Sequence, residues 1–458
     1  MKTTVTLSLI ALLFIGHGLE AADETARIKL KLSPQATPRY GLQYELLPPL
    51  KSQRSGNAAL AYYNIILANR NSGLKEILEA ADKEDDLTKT AQRLGQYQRT
   101  LADLARAASY KHCDWQAHLE DGFGALLPYL ADLRRLSQLA LLQAKIDLAN
   151  GEHDRAIGQM QTGLAIARHA AQDRTLIGNL VGIAVAKMVF STLESNAQTK
   201  GAPNLYWALS DLPRPYFRMR DAMRWERSWH EFQIPELGAL KSDLSQADIG
   251  RIPVAKIARM MKESIGQDPY AIDKAASESA RQATLADARN RLSILGVGPE
   301  KLAKLSRLET ICLADFDRAQ ELSHDLFKWA NLPYPQSHSK ISGVVAEAMK
   351  WAKEKRGGYD PFPFHMFYPA LAKANQRFAT TERELDAWRC IEAIRAHAAA
   401  NGKLPNSLGD IKGLHIPLNP MTGKAFGYEL QGRTAVLTAG TPPKHDARET
   451  VIYELTVN

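Results

Sequence analysis

Apolar residues recur every three or four positions along most of the chain between residues 57 and 375, which is the spacing of a helix with one buried face. The stretch DDLTKTAQRLGQYQRTLADLARAASYK, for example, carries a row of leucines on one side of a helix: Leu87, Leu94, Leu101 and Leu104. Glycine- or proline-bearing joints separate most of these helical segments. The pattern therefore predicts a helical domain over residues 57–375.

The pattern changes near the carboxyl end, where apolar and polar residues begin to alternate. Phe426, Tyr428 and Leu430 alternate before a turn at Gly432, and the final TVIYELTV segment alternates again. A period of two is typical of strands with one buried face. We expect residues 376–458 to form a helix and a small antiparallel β-sheet. The predicted fold class is all-α, with an irregular, tetratricopeptide-like body of helical hairpins and a small C-terminal antiparallel sheet as an α+β cap.

The amino end has the pattern of an export signal. Lys2 precedes an apolar run from Val5 to Ile15, and two alanines follow. The run is about half of the roughly 20 residues that a transmembrane helix needs. We therefore predict a cleaved signal peptide over residues 1–21, an exported protein in the periplasm or outside the cell, and an extended, proline-marked lead-in over residues 22–56.

Composition predicts a folded chain and argues against a nucleic-acid partner. Hydrophobic residues make up 45% and charged residues 24% of the chain, which suits a packed core. The net charge of +8 comes from 58 basic and 50 acidic residues spread along the sequence. A nucleic-acid binder needs a concentrated basic face with stacking aromatics, and the sequence has no such segment.

Cysteines and short motifs give no metal, cofactor or reaction. Cys113, Cys312 and Cys390 are far apart, and they allow one disulfide with three alternative pairings, or three buried thiols. No CxxC motif or Cys/His cluster with zinc-ligand spacing occurs. HExxH, GxSxG, P-loop and Rossmann glycine patterns are also absent from the sequence. We expect no metal site and no cofactor, and the sequence favours a non-enzymatic protein.

Glu226 and His230, in RWERSWHEFQ, are the catalytic candidates. Residues four apart share a helix face. A carboxylate beside an imidazole can act as a general base or bind a metal ion. The same spacing also produces ordinary surface ion pairs. If the pair is catalytic, it predicts an envelope hydrolase.

Two aromatic stretches contain the candidate binding residues. GAPNLYWALSDLPRP holds Tyr206 and Trp207. In YDPFPFHMFYP the candidates are Phe362, Phe364, His365, Phe367 and Tyr368. Exposed aromatics on a proline-stiffened segment suit a sugar or the apolar groove of a partner, whereas buried ones fill the core. We favour burial for both stretches, and exposure would instead predict a small-ligand site.

Residues 137–170 resemble a tetratricopeptide hairpin. With Ala156 at the twentieth position, Ala144 falls at the eighth, Gly163 at the twenty-seventh and Gly151 in the turn. Small residues at these positions let two antiparallel helices approach closely. A full array repeats every 34 residues, whereas the units before and after this one carry aromatic residues at several of these positions. The resemblance implies a single hairpin of this type within an irregular helical domain.

Four segments together resemble a group of uncharacterised exported helical proteins of planctomycete-type bacteria. These segments are CDW, LIGNLVGIAVAK, GAPNLYWALSDLPRP and the ending LPNSLGDI with NPMTGKAFGYELQGRTAVL. The resemblance covers roughly residues 40–440. It implies export and a shared fold, and it implies no activity.

Residues 402–438 are also similar to the C-terminal hairpin of major pseudopilins. The matching residues are Gly402, Pro405, Pro420, Gly423 and Tyr428. A pseudopilin keeps its apolar helix, whereas the apolar run here is predicted to be removed. The similarity therefore implies hairpin geometry, because glycine and proline fix the turns, and no pilus function.

The expected function is that of an exported, non-enzymatic helical binding or scaffold protein of the bacterial cell envelope. Its expected partner is another envelope protein or a peptide, and we expect no transmembrane anchor after cleavage of the signal. The alternatives are an envelope hydrolase and a binding protein for a small sugar or peptide.

Overall fold

The computed structural model describes residues 25–81, 86–119, 126–233, 277–353, 368–443 and 445–457, without the side chains of residues 229–233 and 447. The chain divides into two compact units. Among the described residues, the larger unit contains 25–117, 127–222 and 377–457, and the smaller unit contains 118–119, 126, 223–233, 277–353 and 368–376.

Helices form most of both units. In the larger unit they are α1 (Ala58–Asn69), α2 (Leu74–Ala81), α3 (Leu87–Leu94), α4 (Gln98–Ala108), α5 (Tyr129–Ala149), α6 (His153–Ala170), α7 (Leu176–Gln198) and α8 (Tyr206–Ser210). The chain enters the smaller unit through α9 (Met219–Gln233) and continues with α10 (Glu278–Ile294), α11 (Pro299–Lys304), α12 (Arg307–Ala330) and α13 (Tyr334–Lys353). The long helix α14 (Tyr368–Asn401) belongs to both units, because the boundary lies between Gln376 and Arg377.

The strands lie in the larger unit: β1 (Ala26–Leu32), β2 (Arg54–Asn57), β3 (Tyr110–His112), β4 (Leu418–Asn419), β5 (Lys424–Ala425), β6 (Gly427–Gln431), β7 (Thr434–Ala439) and β8 (Val451–Val457). β6, β7 and β8 form antiparallel pairs. The predicted fold class, a helical body with a small C-terminal antiparallel sheet, is thus confirmed. β1 adds a fourth strand parallel to β8, and the order is β1-β8-β7-β6.

The parallel strand β1 was not expected within the extended lead-in. Its sequence alternates, so Leu30 and Leu32 are buried while Arg27, Lys29 and Lys31 are exposed. Just after the strand, the Ser33 amide donates to the Ala197 carbonyl at the end of α7, with an N···O distance of 2.9 Å. Pairing with β8 and this bond fix the first part of the lead-in to the body of the unit.

The helices α5, α6 and α7 pack on one another in the centre of the larger unit. Gly163 on α6 allows a close approach, because a Cβ atom at this position would lie 3.0 Å from Val189 Cγ2 and 3.2 Å from Leu141 Cδ2. Gly182 on α7 is more crowded, because a Cβ there would lie 2.4 Å from the Ala167 carbonyl oxygen. Small residues therefore set the distances between these helices, while the tetratricopeptide likeness of the α5–α6 hairpin stays a prediction.

Helix α7 is long and apolar enough, by length and composition, to cross a membrane. However, 61% of its most apolar window is buried inside the protein. Its neighbours there include α5, α6 and β1. We conclude that the apolar side chains of α7 form part of the core of the larger unit.

The smaller unit is held together largely by helix packing and ion pairs. α12 packs against α10 and α13. Ser306 caps α12 through a reciprocal pair of hydrogen bonds with Glu309. Arg291 on α10 is ion-paired to Asp317 and Glu321 of α12, so charged side chains as well as apolar ones join these helices.

Candidate binding surface at Trp207

The aromatic pair Tyr206 and Trp207 lies at the start of the short helix α8. Tyr206 is fully buried, and its hydroxyl donates to the His415 carbonyl with an O···O distance of 2.5 Å. The Arg389 guanidinium lies 5.7 Å from the centre of the Tyr206 ring. The two predicted binding candidates therefore differ, because Tyr206 anchors α8 in the core and Trp207 remains accessible.

Trp207 lies against the lead-in at Gly41, where an added Cβ would be 3.4 Å from Trp207 Cδ1. The residues on either side of this glycine point outward. Trp207 is 36% exposed, Tyr40 is 69% exposed and Leu42 is 59% exposed. We name these three side chains the Trp207 surface. Large apolar side chains that are grouped and exposed in this way can bind an apolar or aromatic group of another molecule.

The lead-in and the segment before α8 are held together by Asn204, Glu392 and Arg395, which we name the Asn204 clasp. The side-chain Nδ2 of Asn204 donates to the backbone carbonyl of Gln35 at 3.1 Å and to the backbone carbonyl of Glu392 at 2.8 Å. The Glu392 carboxylate accepts a hydrogen bond from the Leu205 amide at 3.1 Å. The clasp thus joins the lead-in, the segment before α8 and helix α14.

Arg395 is the centre of the clasp, and it is fully buried together with Glu392. Its Nη1 lies 2.8 Å from both carboxylate oxygens of Glu392. Its Nε donates to the Ser33 carbonyl at 3.1 Å, and its Nη2 donates to the Ala202 carbonyl at 3.1 Å. Burial raises the pKa of Glu392, and the nearby guanidinium opposes this rise. A buried charge pair with this many partners holds its neighbours in one arrangement.

A second buried polar group, the His169 cluster, consists of Tyr62, Trp115, Tyr129, His169 and Asp173. The Trp115 and Tyr129 rings stack with centroids 4.2 Å apart and planes inclined by 4°. Trp115 Nε1 donates to the His169 carbonyl at 2.8 Å. The Trp115 of the CDW motif therefore ties the segment after β3 to α5 and α6.

Both ring nitrogens of His169 make hydrogen bonds. Its Nε2 lies 2.9 Å from the Tyr110 carbonyl, which can only accept, so Nε2 carries the hydrogen. Nδ1 then accepts from the Tyr62 hydroxyl at 2.9 Å. Burial lowers the pKa of His169 to about 4. The ring is therefore neutral near pH 7 and serves as a packing and hydrogen-bonding residue.

Asp173 completes the cluster at the start of α7. Its carboxylate accepts from the Tyr129 hydroxyl at 3.0 Å and from the Thr175 amide and hydroxyl at 2.8 and 2.9 Å. Burial raises the pKa of Asp173 to about 6, despite these three donors. A Cβ at Gly178 would lie 2.2 Å from the carboxylate, so this position has no room for a side chain.

The remaining predicted site residues lie in or next to segments outside the described residues. Glu226 is half-buried on α9, and the side chain of His230 lies outside the described residues, so the proposed catalytic pair stays a prediction. Tyr368 is buried in the smaller unit, and its hydroxyl donates to the Ala319 carbonyl at 2.7 Å. The other aromatic-segment candidates, Phe362, Phe364, His365 and Phe367, lie outside the described residues.

Cys113, Cys312 and Cys390 are buried and form no disulfide in the part of the chain that the structure describes. Burial raises the pKa of the Cys113 and Cys390 thiols well above their usual range. Among the described residues, no group of three or more His, Cys, Asp or Glu side chains is arranged to hold a metal ion.

Sequence patterns did not predict four of these residues, Tyr40, Leu42, Glu392 and Arg395. The two lead-in residues are single apolar positions on either side of a glycine, so they show no periodicity. Glu392 and Arg395 are three apart on a helix, which is the same spacing as that of a surface ion pair. Trp207 itself was a sequence candidate, whereas the lead-in beside it was marked only by its prolines.

No protein-family model, no curated protein and no solved structure matches this chain.

Proposed function

We propose that this protein is an exported, non-enzymatic binding or scaffold component of the bacterial cell envelope that holds a protein or peptide partner on the Trp207 surface. The observation that carries the proposal is the grouping of exposed Tyr40, Leu42 and Trp207 on a frame fixed by the Asn204 clasp. The leader-like sequence of residues 1–21 supports export.

The residue types of the surface favour a protein or peptide over a sugar. Tryptophan, tyrosine and arginine are the side chains that contribute most often to protein–protein binding energy. The Arg39 guanidinium lies 5.6 Å from the centre of the Tyr40 ring. A cation beside two exposed aromatics and Leu42 therefore suits an apolar segment of a partner that also carries a carboxylate.

A rigid frame strengthens binding because little ordering is needed when the partner arrives. The Asn204 clasp holds the lead-in, and the bond from the Tyr206 hydroxyl to the His415 carbonyl holds α8. The helices of the larger unit supply further surface for a scaffold. These features support a binding role without a chemical step.

The proposal is tested by crosslinking the tagged protein in intact native cells and identifying the captured proteins by mass spectrometry. The matched variants are Tyr40→Ala/Trp207→Ala and the control Ile294→Ala, which shortens an exposed side chain of the smaller unit. We expect the native protein and the control to capture the same partner, and the double variant to lose it. A partner captured equally by all three would refute the assignment of this surface, and recovery from the cytoplasmic fraction alone would refute export.

A further inference from the structure

Helix α1 buries one face and exposes another that is apolar. Ala58, Ala59, Tyr62 and Ile65 belong to the core of the larger unit. On the opposite side, Leu60 is 68% exposed and Leu67 is 64% exposed. Seven residues correspond to about two helical turns, or about 10.5 Å along the axis, so these leucines lie on one face with the exposed Asn64 between them. We name Leu60, Asn64 and Leu67 the α1 stripe.

The stripe lies in a part of the sequence that is basic and contains no acidic residue. No Asp or Glu occurs between Glu45 and Glu76. The cations in this interval are Lys51, Arg54, Arg70 and Lys75. Lys75 is ion-paired to Glu79, whereas the first three make no ion pair within the described ranges. Unneutralised cations therefore stand on both sides of the apolar stripe along the chain.

We propose that the α1 stripe docks this protein on the surface of an anionic phospholipid bilayer. Leu60 and Leu67 enter the boundary between headgroups and acyl chains, and Lys51, Arg54 and Arg70 lie among the phosphates. Exposed apolar side chains enter the headgroup boundary of a bilayer, and lysine and arginine residues in neighbouring segments are attracted to anionic lipid. The choice of a membrane of the cell envelope rests on the proposed function, whereas the docking surface itself does not.

Two other occupants fit the stripe less well. Leucines do not stack on bases, so a nucleic acid would leave them unused. A second copy of this chain would bring the like charges of Lys51, Arg54 and Arg70 together, which disfavours a dimer through this face. The negative charge of a bilayer surface instead complements these cations.

The experiment is co-sedimentation of the chain without residues 1–21 with vesicles, because the apolar run of the leader would itself bind lipid. One set of vesicles contains equal parts of phosphatidylglycerol and phosphatidylcholine, and the other contains phosphatidylcholine alone. We expect binding to the anionic vesicles that weakens as salt is added. The Leu60→Glu/Leu67→Glu variant should lower the partition coefficient at least about tenfold.

The matched control is Ile294→Glu/Leu418→Glu, which changes the charge by the same amount at two other exposed apolar positions. It should bind as the native chain does. If the Leu60/Leu67 variant fails to fold, Arg54→Gln/Arg70→Gln serves in its place and should reduce binding to anionic vesicles only. Each variant is first compared with the native chain by circular dichroism and thermal melting.

Several outcomes would overturn the proposal. They are equal binding to neutral and anionic vesicles, no binding to either, or equal loss in the control variant. A dimer or an acidic protein complex that the stripe variant abolishes, without vesicle binding, would assign the stripe to a protein partner. Because these measurements use purified chain and lipid, their failure is separate from failure to capture a partner on the Trp207 surface.

Discussion

Replacing Arg395 with methionine removes the cation of the Asn204 clasp while keeping most of the side-chain volume. The change leaves the Glu392 carboxylate buried with the Leu205 amide as its remaining donor among the contacts described. It also removes donors from the Ser33 and Ala202 carbonyls. Removing one partner of a buried ion pair costs about 3–5 kcal/mol, because the remaining charge is uncompensated. This is a large part of the roughly 5–15 kcal/mol that stabilises a typical domain.

The assay is chemical denaturation followed by circular dichroism, with two further variants. Glu392→Gln in the Arg395→Met background removes the orphaned charge, so the double variant should be more stable than Arg395→Met alone. Arg27→Met breaks the exposed ion pair with Glu454, and this change should cost about 1 kcal/mol or less. The reasoning is refuted if Arg395→Met costs no more than Arg27→Met, or if Glu392→Gln further destabilises the Arg395→Met chain.

Three further predictions concern the larger unit. The pKa of Asp173 is raised to about 6, so the protonated side chain contributes fully to stability below about pH 4, and this contribution is lost as the pH rises through 6. Asp173→Asn should remove the loss of stability between pH 4 and 6, as measured by chemical denaturation across that range. Gly178→Ala should destabilise the protein through the clash with Asp173, whereas Gly158→Ala, which has open space around it on α6, should raise the melting temperature by the equivalent of about 0.5–1 kcal/mol. Tyr206→Phe should cost about 1 kcal/mol in denaturation, because it deletes the bond to the His415 carbonyl.

Periodicity was sufficient to predict the helices and the C-terminal antiparallel strands, because each of these elements is specified by residues close in sequence. It could not predict that β1 pairs with β8, since Arg27 and Glu454 are separated by 427 residues. The segment ARIKLKL alternates, but a single short strand gives no sign of where its partner lies. A parallel neighbour at the far end of the chain has no local signature.

The candidate site was predictable only in part for a similar reason. NLYWAL stood out by composition, but sequence could not show that Tyr206 is buried and that Trp207 is exposed. That difference depends on contacts between distant segments, such as the bond from the Tyr206 hydroxyl to the His415 carbonyl, 209 residues further along the chain. The Asn204 clasp could not be predicted from the sequence, because only burial, and not spacing, distinguishes Glu392 and Arg395 from a surface ion pair.

The lead-in connects the fold of the larger unit to its proposed function. β1 pairs with the last strand, Arg395 holds the Ser33 carbonyl, and Asn204 holds the Gln35 carbonyl. The same segment then supplies Tyr40 and Leu42 to the Trp207 surface. Since the strand pairing and the Arg395 bond join residues 26–33 to residues beyond 390, the surface is complete only after both ends of the larger unit have come together. A chain that has not closed its sheet therefore lacks the proposed binding surface, and correct folding becomes a condition for binding.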